Sequence, residues 1–195
     1  MVAVLVHKLA NTTQYLGALN TLLSIEPDAS AHASSMRGLG ATATEVDELG
    51  WALGLLANAC GADLLLERRE REGLASFLRI VGDCTRREGR AIVVDPSTMP
   101  TLTVRDRDDW RVPWAIGRFL FGVARTLPSG TELRAAFDSD GDSDGGRLVA
   151  FANACPDIAA LRGALTRFDA RLDVEIGADR CVLRWASRAP RTRDT

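Results

Sequence analysis

The chain has 195 residues, which is enough for one ordinary domain or two small ones. Its 46% hydrophobic and 26% charged residues exclude a disordered chain, and its net charge of −2 excludes a global basic field for nucleic acid. The four cysteines are widely spaced and the chain has only two histidines, so no metal site is expected and the thiols are interpreted as reduced. The longest apolar stretch is short for a membrane span, and we expect a cytoplasmic protein that binds no membrane.

The first predicted helix runs from about Val2 to Ser24. Its seam residues recur with alternating steps of four and three, as in a helix packed lengthwise on others. They are Leu5, Leu9, Thr12, Leu16, Leu19 and Leu23. At ~100° per residue, His7 lies roughly 200° from Leu5, on the opposite face. Asn11, Gln14 and Ala18 share this outer ridge, so His7 is interpreted as a histidine that another protein can touch.

A loop is predicted around Pro27 and over Asp28–Ser34, and the second histidine, His32, is interpreted as a solvated residue of that loop. The second helix is predicted over roughly Ser35–Arg69, again with steps of three and four. Two such helices joined by a short loop predict an antiparallel hairpin. A hairpin alone cannot bury both sides of its seam, so we expect a homodimer that forms a four-helix bundle. The charged run at 66–73 marks a domain boundary, which makes residues 1–70 the helical domain.

Residues 74–187 change to a mixed α and β pattern and are predicted to form a second domain, followed by a frayed polar tail at 188–195. The predicted helices cover 74–87, 112–127 and 158–168, and the predicted strands cover 91–95, 101–104, 132–137, 147–153, 171–175 and 180–185. The fold class is therefore α+β, a helical hairpin followed by a small α/β sandwich. The stretch Asp140–Gly145 fits the opening of a calcium loop, but Phe151 stands where the closing glutamate belongs, so a hairpin turn is the interpretation.

In this order of elements, the sequence HKLANT at 7–12 resembles the H-box of histidine kinases. In that family a dimerisation and histidine-phosphotransfer bundle precedes an ATP-binding domain of the Bergerat (GHKL) type. His7 matches the phosphoacceptor, Leu9 the apolar position and Asn11 the Asn/Thr position. Lys8 departs where the family has the acid that activates the histidine, and Thr12 replaces a proline.

The stretch Gly117–Gly130 resembles the family's N-box and keeps its basic position and its Pro-x-Gly end. The magnesium-binding asparagine would fall on Gly122, which has no side chain, and Ala152 takes the place of the aspartate that holds adenine. No later Gly-x-Gly lid motif follows. Because ATP phosphates need cations or backbone donors, the resemblance implies that the ATP site is lost and that no cofactor is bound.

This combination is similar to the ChpT-like histidine phosphotransferases, which keep the dimeric bundle and a degenerate ATPase-shaped domain. They relay phosphoryl groups between receiver domains without ATP. The resemblance implies His7 as the phosphoacceptor, response-regulator receivers as partners, and Mg²⁺ supplied only by the receiver. The alternatives are a non-catalytic dimeric module that binds a response regulator and an active kinase with an unusual nucleotide site.

The other candidate residues surround His7. Lys8 could pair with the phosphoryl group or be surface charge. Asn11, one turn from His7, could hydrogen-bond the phosphoryl oxygens or an attacking water, or be a solvated residue of the helix face. Gln14, Tyr15 and Ala18 lie lower on or beside the ridge, where a receiver would dock together with Asn11.

Overall fold

The computed structural model describes residues 2–25, 29–62, 64, 71–100, 110–138, 145–151, 159–169, 171–177 and 179–186. Within these ranges it describes only the backbone at residues 2–7, 10, 22–25, 29–32 and 71–73. The chain divides into two compact units, Met1–Glu67 and Arg68–Thr195. None of the described helices combines the length and the apolar character that a membrane span requires.

The first unit is a pair of packed helices, α1 (Val2–Ile25) and α2 (Ala29–Ala59). Only residues 26–28 separate them, so the packed helices run antiparallel. Thr12 and Leu19 of α1 are buried, and buried residues of α2 follow steps of seven and three: Ser35, Thr42, Leu49 and Ala52. The two buried threonines satisfy their hydroxyl groups within their own helices, because Thr12 donates to the Lys8 carbonyl and Thr42 to the Gly38 carbonyl.

The start of α2 differs from the prediction. The helix begins at Ala29 and not at Ser35, so His32 lies in a helix and not in a loop. The stretch 29–35 consists of alanine, serine and one histidine, without proline or glycine. Alanine has the highest helix propensity, and tertiary packing carries small polar residues into the helix as well. Small polar composition was therefore a misleading sign of a loop.

The end of α2 also differs, because the helix stops at Ala59 and not near Arg69. Gly61 has a φ of +98°, its N–H donates to the Asn58 carbonyl, and the N–H of Ala62 donates to the Ala57 carbonyl. This is a Schellman motif, in which glycine takes the left-handed conformation that ends a helix. The Asn58 side chain then fixes the exit of the chain by bonding both the N–H and the carbonyl of Leu64, at 2.8 and 2.9 Å.

The second unit is a five-stranded sheet covered on one face by three helices. The helices are α3 (Arg71–Arg86), α4 (Arg111–Thr126) and α5 (Ala159–Phe168), with a 3-10 helix at Pro96–Thr98. The strands are β1 (Ala91–Val94), β2 (Glu132–Asp138), β3 (Gly146–Phe151), β4 (Leu172–Ile176) and β5 (Arg180–Trp185). Their order is β1-β2-β3-β5-β4, with β1 parallel to β2 and the other neighbours antiparallel. The predicted α+β class is confirmed, while the strand predicted at 101–104, the turn at 140–144 and the tail at 188–195 lie outside the described residues.

The core of this unit follows from alternation along the strands. Leu133, Ala135 and Phe137 of β2 are buried, whereas the residues between them face the other side of the sheet. Helix α4 packs on both α3 and α5 and reaches the sheet at β1 and β5. At Gly117, a Cβ atom would lie 2.5 Å from the Phe77 ring, so only glycine allows this approach of α3 and α4. Helix α4 is thereby fixed at the centre of the helical layer.

Candidate functional site

The first part of the candidate site is the outer ridge of α1. His7 lies within this helix, and the structure describes its backbone only. The ridge residues that follow it, Asn11, Gln14 and Ala18, are all exposed. They stand on the side of α1 away from buried Thr12. The ridge predicted from helical periodicity is therefore a solvent-facing surface wherever side chains are described.

The two residues beside the ridge are placed differently from each other. Lys8 is half-buried, since its position turns toward α2, one turn before buried Thr12. The side chain of Tyr15 is 53% exposed, and its hydroxyl oxygen would lie 3.4 Å from a Cβ atom at Gly38 of α2. Tyr15 thus lies at the border between the ridge and the α1–α2 interface, whereas Lys8 lies on the interface side of α1.

One acidic residue of α2, Glu48, reaches the level of His7, and Glu45 lies about one turn from it; sequence reasoning missed both. Gly38 is level with residues 15–19 of α1, because its Cβ position meets Tyr15 and Leu19. Both helices rise about 1.5 Å per residue in opposite directions, so Glu48 is level with residues 5–9 and Glu45 with residues 8–12. Both are half-buried. Glu48 therefore lies at the height of His7 on the neighbouring helix.

The hairpin leaves an apolar stripe incompletely covered. Leu9 and Val46 are each 37% exposed, and the related positions Leu16, Leu39 and Leu53 are half-buried. Leu9 and Leu16 of α1 are seven residues apart, and Leu39, Val46 and Leu53 of α2 follow one another at the same spacing. This repeat is typical of a coiled-coil seam. Two of the six positions predicted as the α1 seam, Thr12 and Leu19, are buried within the single chain, and Leu9 is not.

The region matched to the N-box is closed by packing. A Cβ atom at Gly122 would lie 2.7 Å from Cδ2 and 3.1 Å from Cδ1 of Leu161, so α5 lies directly against this position of α4. Arg125, one turn later, has its guanidinium 3.3 Å from the Glu88 carboxylate and 5.6 Å from the centre of the Phe121 ring. Gly122 offers no ligand for magnesium, and Leu161 takes the space of a side chain. The stretch 152–157, which contains the position matched to the adenine-binding aspartate, lies outside the described residues.

Two groups with shifted pKa values, Cys84 and Asp169, are buried in the second unit. Burial raises the pKa of the Cys84 thiol, which keeps it protonated and unreactive. Burial also acts to raise the pKa of Asp169, but hydrogen bonds from Arg171 and the charges of Arg171 and Arg111 outweigh it, so that pKa is lowered. In the part of the chain that the structure describes, no three His, Cys, Asp or Glu residues come together as metal ligands would.

Comparison with known proteins gives similarities of fold only. No protein-family model matches the chain, and no curated protein matches it significantly. The structure is similar to the histidine kinase AdeS of Acinetobacter baumannii, with a TM-score of 0.45 and 11% identity over 94% of this chain and 98% of that one. It is also similar to the histidine kinase domain of a blue-light-activated kinase from Erythrobacter litoralis, with a TM-score of 0.40 and 14% identity over 90% and 92%. A third is the mycobacterial sensor histidine kinase MprB, with a TM-score of 0.41 and 11% identity over 64% and 99%. With TM-scores below 0.5, these similarities assign neither a family nor an activity to the chain.

Proposed function

We propose that this protein is a ChpT-like histidine phosphotransferase of a two-component phosphorelay, with His7 as the phosphoacceptor and receiver domains as partners. The H-box resemblance at 7–12 and the exposed ridge at Asn11, Gln14 and Ala18 support phosphotransfer on α1. The absence of a side chain at Gly122 carries the choice of a relay over an ATP-dependent kinase, because that position supplies no magnesium ligand and the end of the Leu161 side chain lies over it.

The proposed reaction needs little from the chain beyond an oriented imidazole. A neutral imidazole nitrogen of His7 attacks the phosphorus of the receiver's aspartyl phosphate. The P–N bond forms as the P–O bond to the aspartate breaks, and the aspartate leaves as a carboxylate. The reverse step passes the phosphoryl group to a second receiver. The receiver supplies the Mg²⁺ that neutralises the phosphoryl oxygens, so catalysis by this chain consists of positioning.

The residues near His7 take roles consistent with their placement. Asn11 is exposed one turn along the ridge, where its side chain can hydrogen-bond phosphoryl oxygens. Lys8 directly follows His7 and is half-buried on the α2 side, and its proposed role is to offset the phosphoryl charge from the edge of the site. Gln14, Tyr15 and Ala18 form the remainder of the receiver contact.

The proposed assembly is a homodimer through the hairpin. The half-exposed stripe Leu9, Leu16, Leu39, Val46 and Leu53 has the seven-residue repeat that a helical partner covers. A second copy presents the same stripe, so a two-fold axis through it completes a four-helix bundle. The His7 ridge lies on another side of α1 and remains accessible in such a dimer.

The alternative is a non-catalytic dimeric module that binds a response regulator without accepting phosphate. One observation favours it: Lys8 stands where the H-box has its activating acid. The relay is preferred because an aspartyl phosphate is already a reactive donor, so loss of the acid impairs an ATP-using kinase more than a phosphotransferase. An active kinase ranks last, since the packing at Gly122 speaks against a bound nucleotide.

The experiment that tests the proposal is phosphotransfer from a panel of phosphorylated receiver domains to the purified protein, compared with His7→Ala. His32→Ala is the matched control, since the chain has only these two histidines. We expect acid-labile, base-stable phosphate on the wild type and on the His32 variant, and none on the His7 variant. Receiver binding without label on any of the three would support the binding module instead. Labelling by ATP alone would support the kinase.

A further inference from the structure

We infer that the crossing of α4 and α5 in the second unit is a docking surface for an acidic protein, formed by Arg118, Arg125 and Arg162 around the Gly122–Leu161 contact. This surface, the crossing patch, lies in a different unit from His7. It rests on the proposed function only for the identity of the partner, which is the receiver domain.

The composition of the two helices is the first observation. The helices α4 and α5 together contain five arginines and no acidic residue: Arg111, Arg118, Arg125, Arg162 and Arg167. Arg111 is engaged at one end of α4, where its guanidinium lies 6.0 Å from the centre of the Trp110 ring and 5.8 Å from that of Phe168. Arg125 lies over the single ring of Phe121. Among the described residues, Arg118, Arg162 and Arg167 lie over no aromatic ring.

The geometry of the crossing is the second observation. Arg118 and Arg125 stand one turn before and one turn after Gly122, on the same face of α4. Seven residues at about 1.5 Å each separate them by roughly 10 Å along the helix. Arg162 directly follows Leu161, the residue that covers Gly122. The close approach that glycine permits therefore gathers three arginines around one helix contact.

These cations are available to a partner. Arg162 is exposed and Arg118 is half-buried, and neither forms an ion pair with any residue that the structure describes. Arg125 pairs with Glu88 at 3.3 Å, but that carboxylate also reaches Arg90 at 3.5 Å and is 39% exposed, so it is shared between two cations. Among the residues that the structure describes, the crossing patch thus carries more positive charge than its neighbours neutralise.

The charge of the whole chain makes this patch unusual. Residues 1–67 hold two Lys or Arg against seven Asp or Glu, a net charge of −5. The remaining residues hold 22 against 19, a net charge of +3. The basic charge that an acidic partner can bind is therefore concentrated in the second unit. Complementary charge of this kind raises association rates and selects partners.

The patch fits an acidic protein better than a nucleic acid. Arginine presents a planar fork that binds carboxylates in pairs, and three forks match a small cluster of acidic side chains. A nucleic-acid site typically neutralises about 6–10 phosphates, which is more than this patch provides. The receiver of the proposed reaction is the protein partner that the proposed function supplies, so acidic side chains on its surface are the occupant that we assign to the crossing patch.

The test measures binding and not phosphotransfer. The full-length protein, its Arg118→Glu and Arg162→Glu variants and the double variant are titrated with an unphosphorylated receiver at two or more salt concentrations. Arg180→Glu is the matched control, because Arg180 is an exposed arginine on the helix-free face of the sheet. We expect about tenfold weaker binding for each single variant, more for the double, and a smaller salt dependence. Arg118→Gln is included because a glutamate at a half-buried site could disturb folding, and it is expected to weaken binding severalfold with an unchanged melting temperature.

Other outcomes overturn the inference in distinguishable ways. Unchanged receiver affinity in the double variant removes the crossing patch as a docking surface, whatever the result for His7. Loss of single-stranded DNA or RNA binding in the variants, with receiver binding intact, replaces the acidic protein by nucleic acid. If no receiver exchanges phosphate with His7, a poly-glutamate peptide serves as the probe. Its binding must then fall in the arginine variants and not in Arg180→Glu for the acidic-protein surface to stand without the proposed function.

Discussion

Adding a side chain at Gly122 tests how closely α4 and α5 pack. In an unobstructed helix, replacing glycine by alanine gains about 1 kcal/mol. At Gly122 the new Cβ would lie 2.7, 3.1 and 3.4 Å from three carbons of Leu161, so the end of that side chain has to move. Overpacking a well-packed contact costs about 1–3 kcal/mol of stability. A cost near the middle of that range exceeds the gain in helix propensity from replacing glycine by alanine. We expect Gly122→Ala to lower the free energy of unfolding by about 1 kcal/mol.

A double-mutant cycle isolates this contact. In the Leu161→Ala background the obstruction is gone, and Gly122→Ala then recovers its gain of about 1 kcal/mol. The coupling between the two positions is therefore about 2 kcal/mol. Urea unfolding followed by circular dichroism measures all four proteins. Gly163→Ala is the control, because the nearest atom to its new Cβ is 3.7 Å away, and it is expected to stabilise the protein.

The packing argument is wrong if Gly122→Ala stabilises the protein as much as Gly163→Ala does. In that case α5 does not rest on α4 at this point, and the space for a nucleotide ligand remains open. The companion variant Gly122→Asn restores the N-box residue. Because Leu161 still covers the position, we expect it to bind a fluorescent ATP analogue no better than the wild type.

Three further predictions concern other parts of the chain. Asp169→Asn breaks a partly buried pair with Arg171 and should cost about 1–3 kcal/mol at pH 7. The pKa of Asp169 is lowered in the folded state, so the stabilisation by its carboxylate is complete above the unfolded pKa of about 3.9 and is lost as the pH falls through the folded pKa. The difference in unfolding free energy between the wild type and the variant should therefore be smaller in urea unfolding at pH 3. Gly61→Ala places a side chain at a φ of +98° and should cost about 1–2 kcal/mol, and no loss in thermal unfolding would argue against the Schellman end of α2. Leu9→Glu with Val46→Glu should turn a homodimer into a monomer in analytical ultracentrifugation, and a dimer that persists would place the interface elsewhere.

Most elements of the second unit could be predicted from the sequence because their patterns are local. The strand Arg180–Trp185 has the predicted bounds, and the α4 helix Arg111–Thr126 differs by one residue at each end. The alternation of apolar and polar residues in the sequence predicts the strands. Pro128 and Gly130, which follow α4, predict where that helix ends. These signals act over a few residues and do not depend on the rest of the fold.

The ends of α2 could not be predicted in the same way, because two signals competed there. The apolar steps through Leu56 and Cys60 continue a helical pattern, while Gly61 ends the helix through backbone bonds that periodicity does not register. At the other end, small polar residues indicated a loop although alanine favours a helix. Gly61 itself, followed by a change in the apolar pattern of the sequence, was the signal that could have placed the end of α2 there.

The candidate site was predictable on one helix and not across two. The exposure of Asn11, Gln14 and Ala18 follows from rotation along α1 alone. The level of Glu45 and Glu48 depends on the length of the connection and on the contact at Gly38, neither of which the sequence pattern contains. The loop predicted over Asp28–Ser34 would have shifted α2 against α1, so residues paired across the hairpin could not be assigned.

What separates a relay from a kinase in this chain is the source of the phosphoryl group. A kinase has to bind ATP, hold its magnesium and activate the histidine with a neighbouring acid. By the resemblance to histidine kinases, Gly122 stands where the magnesium ligand is expected and Lys8 where the acid is expected, and the end of the Leu161 side chain lies over Gly122. A relay receives an aspartyl phosphate whose metal and pocket belong to the receiver, so it needs a fixed helix and an accessible ridge. Those two features are what the proposed relay asks of α1, and the proposal requires no nucleotide ligand at Gly122.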